Sequence, residues 1–356
     1  MKGIGFIQCP FDKNVFVHWF ESQARFLIFW QHVDDRWGGC QTDEDLQWFV
    51  QQLAAQLQSA QEKTTDVLGL DVEYMRGEGI MRLRATTKIT TFIKKHGLQN
   101  IMPHDSPMTP EIAKSLTIAN CPVTDKAKKA FRKKAGEYRT IAGFFGYATN
   151  TVPVNCNSAA RLLSRVLANP GEVHHKAAMY AIGYLLKNAD EYLEYRRSPS
   201  FAGVFNVFTM VDADLGGDPT NGSNGNSVMG AVMYLCESHC YSYSKTIKAI
   251  CMSTHHTELY ALTEGSQMAI YIVRLLRSLL FKVSFPAPVV GDNKGALATA
   301  SVPSTKASRH INLREHWLRE VLHVSDMVIA FIPGPLNAAN NGTKILGTPQ
   351  FKKESE

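Results

Sequence analysis

The sequence predicts a multidomain protein of α/β and α+β class, and three patterns in its 356 residues predict it. Near the N-terminus, apolar runs of strand length alternate with a helical apolar spacing. The middle of the chain carries helical spacing alone. The last third reads strand, strand, strand, helix, strand, helix, helix, strand, the order of a mixed sheet with flanking helices. A chain this long can hold two or three domains, each with a core.

Residues 26–33 form a continuous apolar run that enters Asp34-Asp35-Arg36-Trp37 and predicts a strand and turn. Over 42–61, Leu46, Phe49, Val50, Leu53 and Leu57 recur at helical spacing behind Thr42 and Asp43 as caps. Residues 67–74 and 80–84, separated by Gly77-Glu78-Gly79, predict a hairpin, and 87–96 a helix. Together these make one small α+β unit ending at the 103–110 loop, where Pro103, Pro107 and Pro110 oppose regular structure. Helices follow over the basic segment near 126–134 and over 138–147, 158–167 and 174–186, then a linker at 196–200. Strands are expected at 204–211, 228–236, 241–251, near 288–290 and at 327–332. Helices are expected at 254–281, from 294, and at 311–324; the Gly/Asn/Asp-rich 214–227 is a loop.

Composition is that of a globular protein, with 45% hydrophobic and 20% charged residues. Lys and Arg exceed Asp and Glu by 38 to 32, a net charge of +6, and the excess is local. Between Lys114 and Arg139 lie Lys126, Lys128, Lys129, Arg132, Lys133 and Lys134, against only Asp125 and Glu137. Such a cluster suits a phosphate backbone; a solvated helix face is the commoner origin of a lone basic run. The seven cysteines are scattered, without a Cys-x-x-Cys pair or a secretory leader, as in an intracellular protein with reduced thiols. Cys236, His239 and Cys240, with His255 and His256, raise zinc as an alternative, but lack the second regular ligand pair of a structural site. No apolar run is long enough to span a bilayer, so no membrane partner is expected.

Three carboxylates carry the chemistry: Asp212 in Val-Asp-Ala-Asp, Glu258 in Thr-Glu-Leu-Tyr, and Asp292 in Val-Val-Gly-Asp-Asn. Each stands where an expected strand ends or a helix begins, so one fold can aim all three at a single point. Their repulsion there calls for cations, and hard oxygen ligands call for Mg²⁺. This is the ligand set of two-metal phosphodiester hydrolysis.

The motifs, taken in order, resemble the C-terminal part of a copia-type LTR retrotransposon Pol polyprotein: the end of a reverse transcriptase followed by RNase H. His32-Val-Asp-Asp35 resembles that family's Tyr-Val-Asp-Asp; Leu68-Gly-Leu-Asp-Val-Glu73 resembles its Phe-Leu-Gly-Ile-Glu-Ile; Ser106-Pro-Met108 its Thr-Pro-Met. Tyr138-Arg139 with Gly143 and Tyr147, then Leu162-Leu-Ser-Arg165 with Asn169-Pro170, resemble its helical connection. Asp212-Ala-Asp214 with Gly217-Asp218, Ser242-Tyr-Ser-Lys245, Ser253 to Leu262, Asp292-Asn293 and Arg309-His-Ile-Asn-Leu-Arg314 resemble its RNase H motifs. The resemblance implies a truncated reverse transcriptase palm over 1–110, a helical thumb and connection over 111–200, and an RNase H-like mixed sheet over 201–356. It implies Asp212, Glu258 and Asp292 as ligands of two Mg²⁺, with Mn²⁺ as substitute, and an RNA–DNA hybrid as substrate. Other Pol segments would be partners, in a cytoplasmic particle or the nucleus.

Departures from the family pattern modify this expectation. The family's fourth RNase H aspartate aligns with Asn340, in Asn337-Ala-Ala-Asn-Asn-Gly-Thr-Lys344, so one metal should bind weakly. Asn312 likewise replaces an aspartate, and His256 the acid two residues before Glu258. Asp34 and Asp35 form a polymerase remnant whose third aspartate lies on a strand upstream of this chain, so polymerisation by this chain alone is not expected. An ordinary hairpin turn is the simpler role for the pair. Arg309 and His310 are candidate phosphate contacts. A non-catalytic nucleic-acid-binding relic, or a structural protein recruited from transposon sequence, remain the alternatives.

Overall fold

The structure is a computed structural model that describes residues 2–21, 25–33, 35–55, 65–149, 156–198, 201–220, 225–301, 313–324 and 327–355. Its first sheet is an antiparallel meander of β1 (Ile7–Gln8), β2 (Val15–Phe20), β3 (Arg25–His32) and β4 (Asp35–Cys40). Because side chains alternate along a strand, Phe16, Leu27 and Phe29 share one face. They pack there with Phe6 and with Phe49 and Leu53 of α1 (Asp43–Ala54). The Thr42 hydroxyl caps α1 by accepting the Asp45 N–H, as expected.

A second sheet contains the expected hairpin, but differs from expectation at both edges. It comprises β5 (Asp66–Val67), β6 (Leu70–Met75), β7 (Ile80–Arg84) and β8 (Tyr192–Arg196). The strand expected over 67–74 is folded on itself, because Leu68 and Gly69 take positive φ (54° and 81°) and turn β5 back onto β6. β8 lies where the sequence offers little more than a linker; it returns from beyond the helices to pair with β7. The single α+β unit expected near the N-terminus is thus two sheets, one of them completed from a distant segment.

The helices are α2 (Thr86–Lys95), α3 (Pro110–Ser115), α4 (Asp125–Ala148), α5 (Cys156–Ser164) and α6 (Glu172–Lys187). Pro110 opens α3 rather than blocking it, since a first-turn N–H has no intrahelical acceptor to lose. The basic segment and the 138–147 helix are one continuous α4, with Gly136 absorbed inside it. Tyr138, Phe145, Leu162, Leu163, Ile182 and Leu185 form the helical core, and the Tyr138 hydroxyl donates to Leu163 O at 2.6 Å.

The last third contains β9 (Val204–Phe205), β10 (Val207–Asp214), β11 (Val228–Leu235), β12 (Ser238–Thr246), α7 (Thr254–Ser278), β13 (Lys282–Val283), β14 (Ala287–Gly291), α8 (Lys294–Ser301), α9 (Leu313–His323), β15 (Met327–Phe331), α10 (Asn340–Thr343) and α11 (Thr348–Ser355). The anticipated mixed sheet is present, in the order β12-β11-β10-β14-β15. β10, β11 and β12 are antiparallel, while β10, β14 and β15 run parallel. β12 begins three residues earlier than expected, because Cys236 and Glu237 both take positive φ and close a two-residue hairpin. α10 and α11 have no counterpart among the sequence expectations. Among the described residues, no helix is long and apolar enough to cross a membrane.

The first sheet joins this unit through its other face. Val17, Trp19, Phe26 and Ile28 belong to the same apolar core as α7 and β14. Phe281 is the hub, with ring centroids 5.1 Å from Trp19, 4.9 Å from Phe26 and 5.1 Å from Phe205. The Trp19 indole N–H also donates to Leu279 O at 2.9 Å. Phe281→Ala should therefore destabilise the protein by about 3–5 kcal/mol. Urea unfolding checks this, with Phe281→Leu expected to lose clearly less; equal midpoints for parent and Phe281→Ala would show that this hub contributes nothing.

Candidate metal centre

Two of the three acids are brought together by strand register. β10 and β14 are parallel neighbours in which Met210 faces Val290. Asp212 and Asp292 each lie two residues further on, so they emerge side by side on the same face of the sheet. Glu258 comes from the second turn of α7, whose start is set by Ser253 accepting the His256 N–H. Gly265 lets α7 approach β10 closely, since a Cβ there would stand 2.3 Å from Val211 Cγ1. One carboxylate oxygen from each acid then lies within 4.8 Å of the others.

Asp212 and Glu258 are almost wholly buried, with 2% and 6% exposure. Burial pushes the Glu258 carboxyl up to about 8, helped by the charges of Asp212 and Asp292 and opposed by the Ala213 N–H and Lys344. Burial also raises Asp212, to about 6; a hydrogen bond from Thr343 and the charge of Lys344 oppose the rise, and Asp292 and Asp214 add to it. Burial raises Asp214 as well. Burial and mutual repulsion thus favour the protonated forms of Glu258 and Asp212, and a divalent cation bound among the acids would favour the ionised ones.

A fourth polar side chain comes from the turn that follows β15. Asn340 Nδ2 donates to Gly334 O at 2.6 Å, while its Oδ1 is buried and has no hydrogen-bond partner among the described residues. That orientation is dictated by chemistry, because a flipped amide would set oxygen against oxygen. Gly334 itself borders the acids, since a Cβ on it would stand 3.0 Å from Asp292 Oδ2. Carboxylate oxygens with a free amide oxygen nearby fit a hard cation such as Mg²⁺ or Mn²⁺.

The sequence did not single out the groups that hold this turn in place. Thr343 Oγ1 donates to Asp212 Oδ2, and Asn337 Nδ2 donates to Val211 O at 2.8 Å. Gly342 lies against Gly230, the residue paired with Asp212 on β11, where an added Cβ would stand 3.0 Å from Gly342 Cα. Thr343 and Lys344 fall inside a motif the sequence displays, but no spacing rule assigns them a role. Asp218, fully buried, accepts from Thr220 and Thr246 and pairs with Arg161 and Arg165 at 3.3 and 3.0 Å. It fastens the loop after Asp214 to α5.

The other expected site residues lie elsewhere. Asp35 is exposed at the start of β4, outside the acidic group, and Asp34 lies outside the described residues. Arg309, His310 and Asn312 also lie outside them. Lys126, Lys128, Lys129, Arg132, Lys133 and Lys134 are exposed along the first turns of α4. Lys134 pairs with Glu172 at 2.9 Å and Lys128 stands 4.0 Å from Asp125. Lys126, Lys129, Arg132 and Lys133 have no acidic partner among the described residues. Among those residues Cys236, His239, Cys240, His255 and His256 form no group able to hold a metal, so the zinc alternative finds no site.

No protein-family profile matches the chain. It is similar to the retrovirus-related Pol polyprotein from transposon TNT 1-94 of Nicotiana tabacum, 25% identical over 99% of this chain and 26% of that polyprotein. Those from transposons RE2 and RE1 of Arabidopsis thaliana are 24% and 22% identical over 62% and 80% of this chain, and 15% and 18% of their own lengths. The chain therefore spans about a quarter or less of these relatives, and the relationship to retrotransposon Pol polyproteins read from its motifs is borne out. Among solved structures, RNase H1 from Halobacterium salinarum NRC-1 is 17% identical over 38% of this chain and 90% of its own, with a TM-score of 0.27. LC11-RNase H1 in complex with an RNA/DNA hybrid is 14% identical over 37% and 89%, also at 0.27.

The raised carboxyls carry a pH signature. In the metal-free fold they favour the protonated state, so the stability they contribute is full below about pH 4 and lost as pH rises through about 6 and then 8. Glu258→Gln should remove most of that loss, stabilising the metal-free protein at pH 9 by on the order of 2 kcal/mol. Cation binding expels the same protons, so Mg²⁺ affinity should climb between pH 6 and 8 with about one proton released per site at pH 7. Calorimetry in buffers of different ionisation enthalpy counts that proton; a pH-independent affinity would show the acids already ionised.

Proposed function

We propose that the chain carries a metal-dependent ribonuclease acting on the RNA strand of RNA–DNA hybrids. The observation that supports this reading above all others is the meeting of buried Asp212 and Glu258 with half-buried Asp292, from β10, α7 and the end of β14, at one point. Asp212, Glu258 and Asp292 would hold the cations, with the Asn340 amide oxygen as neutral fourth donor. When bound, divalent cations supply a more acidic water and neutralise charge on the scissile phosphate.

The remaining tasks fall to the chain. Asp212 stands on β10 and Asp292 directly follows β14, its parallel neighbour in a hydrogen-bonded sheet, so their spacing is set by backbone. Thr343 holds one oxygen of Asp212. Lys344, exposed at the rim, adds a positive charge that favours the ionised acids and a phosphate approaching them. The unpaired basic residues of α4 offer the kind of surface that tracks a phosphate backbone, and Arg309 and His310 are assigned to the same substrate. On this reading 1–110 is the reverse transcriptase palm remnant, 111–200 the thumb and connection, and 201–356 the nuclease. We assign no polymerisation to this chain.

A second reading rests on one observation. The fourth donor is an uncharged amide, which suits a site that keeps its substrate surface after catalysis has lapsed. Cleavage of a labelled hybrid in Mg²⁺ and in Mn²⁺, with Asp292→Asn as control, separates the two. Cleavage should vanish in the control and increase about tenfold in Asn340→Asp, equivalent to roughly 1.4 kcal/mol of transition-state stabilisation. A folded protein that binds the hybrid but cleaves in neither metal would leave the binding relic alone. Replacing Lys129, Arg132 and Lys133 by Ala should lower the slope of log affinity against log salt by about 3. An unchanged slope would place the phosphate contacts elsewhere.

A further inference from the structure

The turn that bears Asn340 and Thr343 is not held by the mixed sheet alone. Its inner side meets β11 through the Gly230 and Gly342 contact. Its outer side meets α5, in the helical layer, where the Ser158 hydroxyl donates to Asn341 O at 2.7 Å. Both ends of that bond are buried and Ser158 is 0% exposed. Asn341 sits between Asn340 and Thr343 in the single turn of α10, so its carbonyl fixes the position of both neighbours. Thr343 then donates to Asp212 Oδ2; its hydroxyl also lies 2.9 Å from Asn340 O, but with one proton to give, the ionised carboxylate is the stronger acceptor.

Beyond the turn the chain returns to the helical layer. Phe351 is buried against Tyr184, with centroids 5.7 Å apart; Thr348 Oγ1 lies 3.2 Å from Ser106 Oγ, and Lys352 pairs with Asp105 at 2.8 Å. The segment that completes the acidic centre is therefore clamped between two layers.

We infer that Ser158 is a positioning residue for the acidic centre: it orders the α10 turn so that Thr343 holds Asp212 and Asn340 presents its amide oxygen. The helical layer is thus part of the metal site without supplying a ligand to it. This rests on the metal-centre reading proposed above. Partners that orient ligands in this way change metal affinity about 10–100-fold when removed.

The test is Mn²⁺ titration calorimetry on the full chain, with circular dichroism and thermal melting to verify the fold. Thr343→Val should weaken Mn²⁺ binding about 10–100-fold, Thr343→Ser should keep it, and Ser158→Ala should weaken it about tenfold. Because both act through one turn, the double variant should bind little worse than Thr343→Val alone. Asn157→Ala removes a neighbouring bond from α5 to β12, Asn157 Nδ2 to Ser242 Oγ at 2.8 Å, without touching the turn, and should leave Mn²⁺ affinity unchanged. Unchanged affinity in Ser158→Ala, or an equal loss in Asn157→Ala, overturns the positioning role while leaving the metal site standing. A folded parent that binds no Mn²⁺ overturns the metal-centre reading itself, and this inference with it.

Discussion

Three carboxylates that meet at one point, two of them buried, repel one another, and the C-terminal unit is arranged around that constraint. Two acids, one on β10 and one at the end of the neighbouring β14, are held together by the sheet, and the third is fixed by a helix pressed onto β10 through Gly265. The repulsion cannot be relieved by movement, so in the metal-free state it favours protonation, of Glu258 above all. A rigid site of this kind is a poor place for acids unless a cation is to enter.

The same constraint explains the surrounding small residues. Gly230 faces Asp212 across β11, and only an absent side chain there lets the Ala339–Gly342 backbone reach the sheet. Thr343 and Asn337 then bond to Asp212 and to the carbonyl before it, so one short segment grips the strand at two successive residues. On the far side, Ser158, Arg161 and Arg165 of the helical layer hold Asn341 and Asp218. Breaking one partner of a buried ion pair such as Arg161 with Asp218 leaves a charge stranded, so these contacts resist substitution more than their number suggests.

What the sequence made legible follows from how local each signal is. The long periodic elements, β10, α7 and α6, and the identity of the three acids were readable because apolar spacing and chain order carry them. β8 was not, because its partner β7 lies more than a hundred residues away and five half-exposed residues show no decisive alternation. The turn after β5 hid a positive φ at Leu68, a non-glycine residue that no turn preference marks. Thr343 and Ser158 were invisible as site residues for a related reason: their roles consist of single hydrogen bonds to residues 131 and 183 positions away. The polar residues at such contacts look, in sequence, like any surface threonine or serine.

Charge counting gives Asn340 its meaning on the proposed reading. Three carboxylates contribute three negative charges, which one divalent cation leaves under-neutralised and two over-neutralise. A fourth carboxylate would balance two cations; an amide oxygen does not. A second cation would then be held against the field of the first with no charge to offset it, except what a substrate phosphate would bring. Such a site would fill its second position only in the presence of a polyanion, and occupancy and substrate binding become one event. The orientation of the Asn340 amide is consistent with this, since Gly334 takes its N–H and leaves the oxygen as the only donor the side chain can offer a cation.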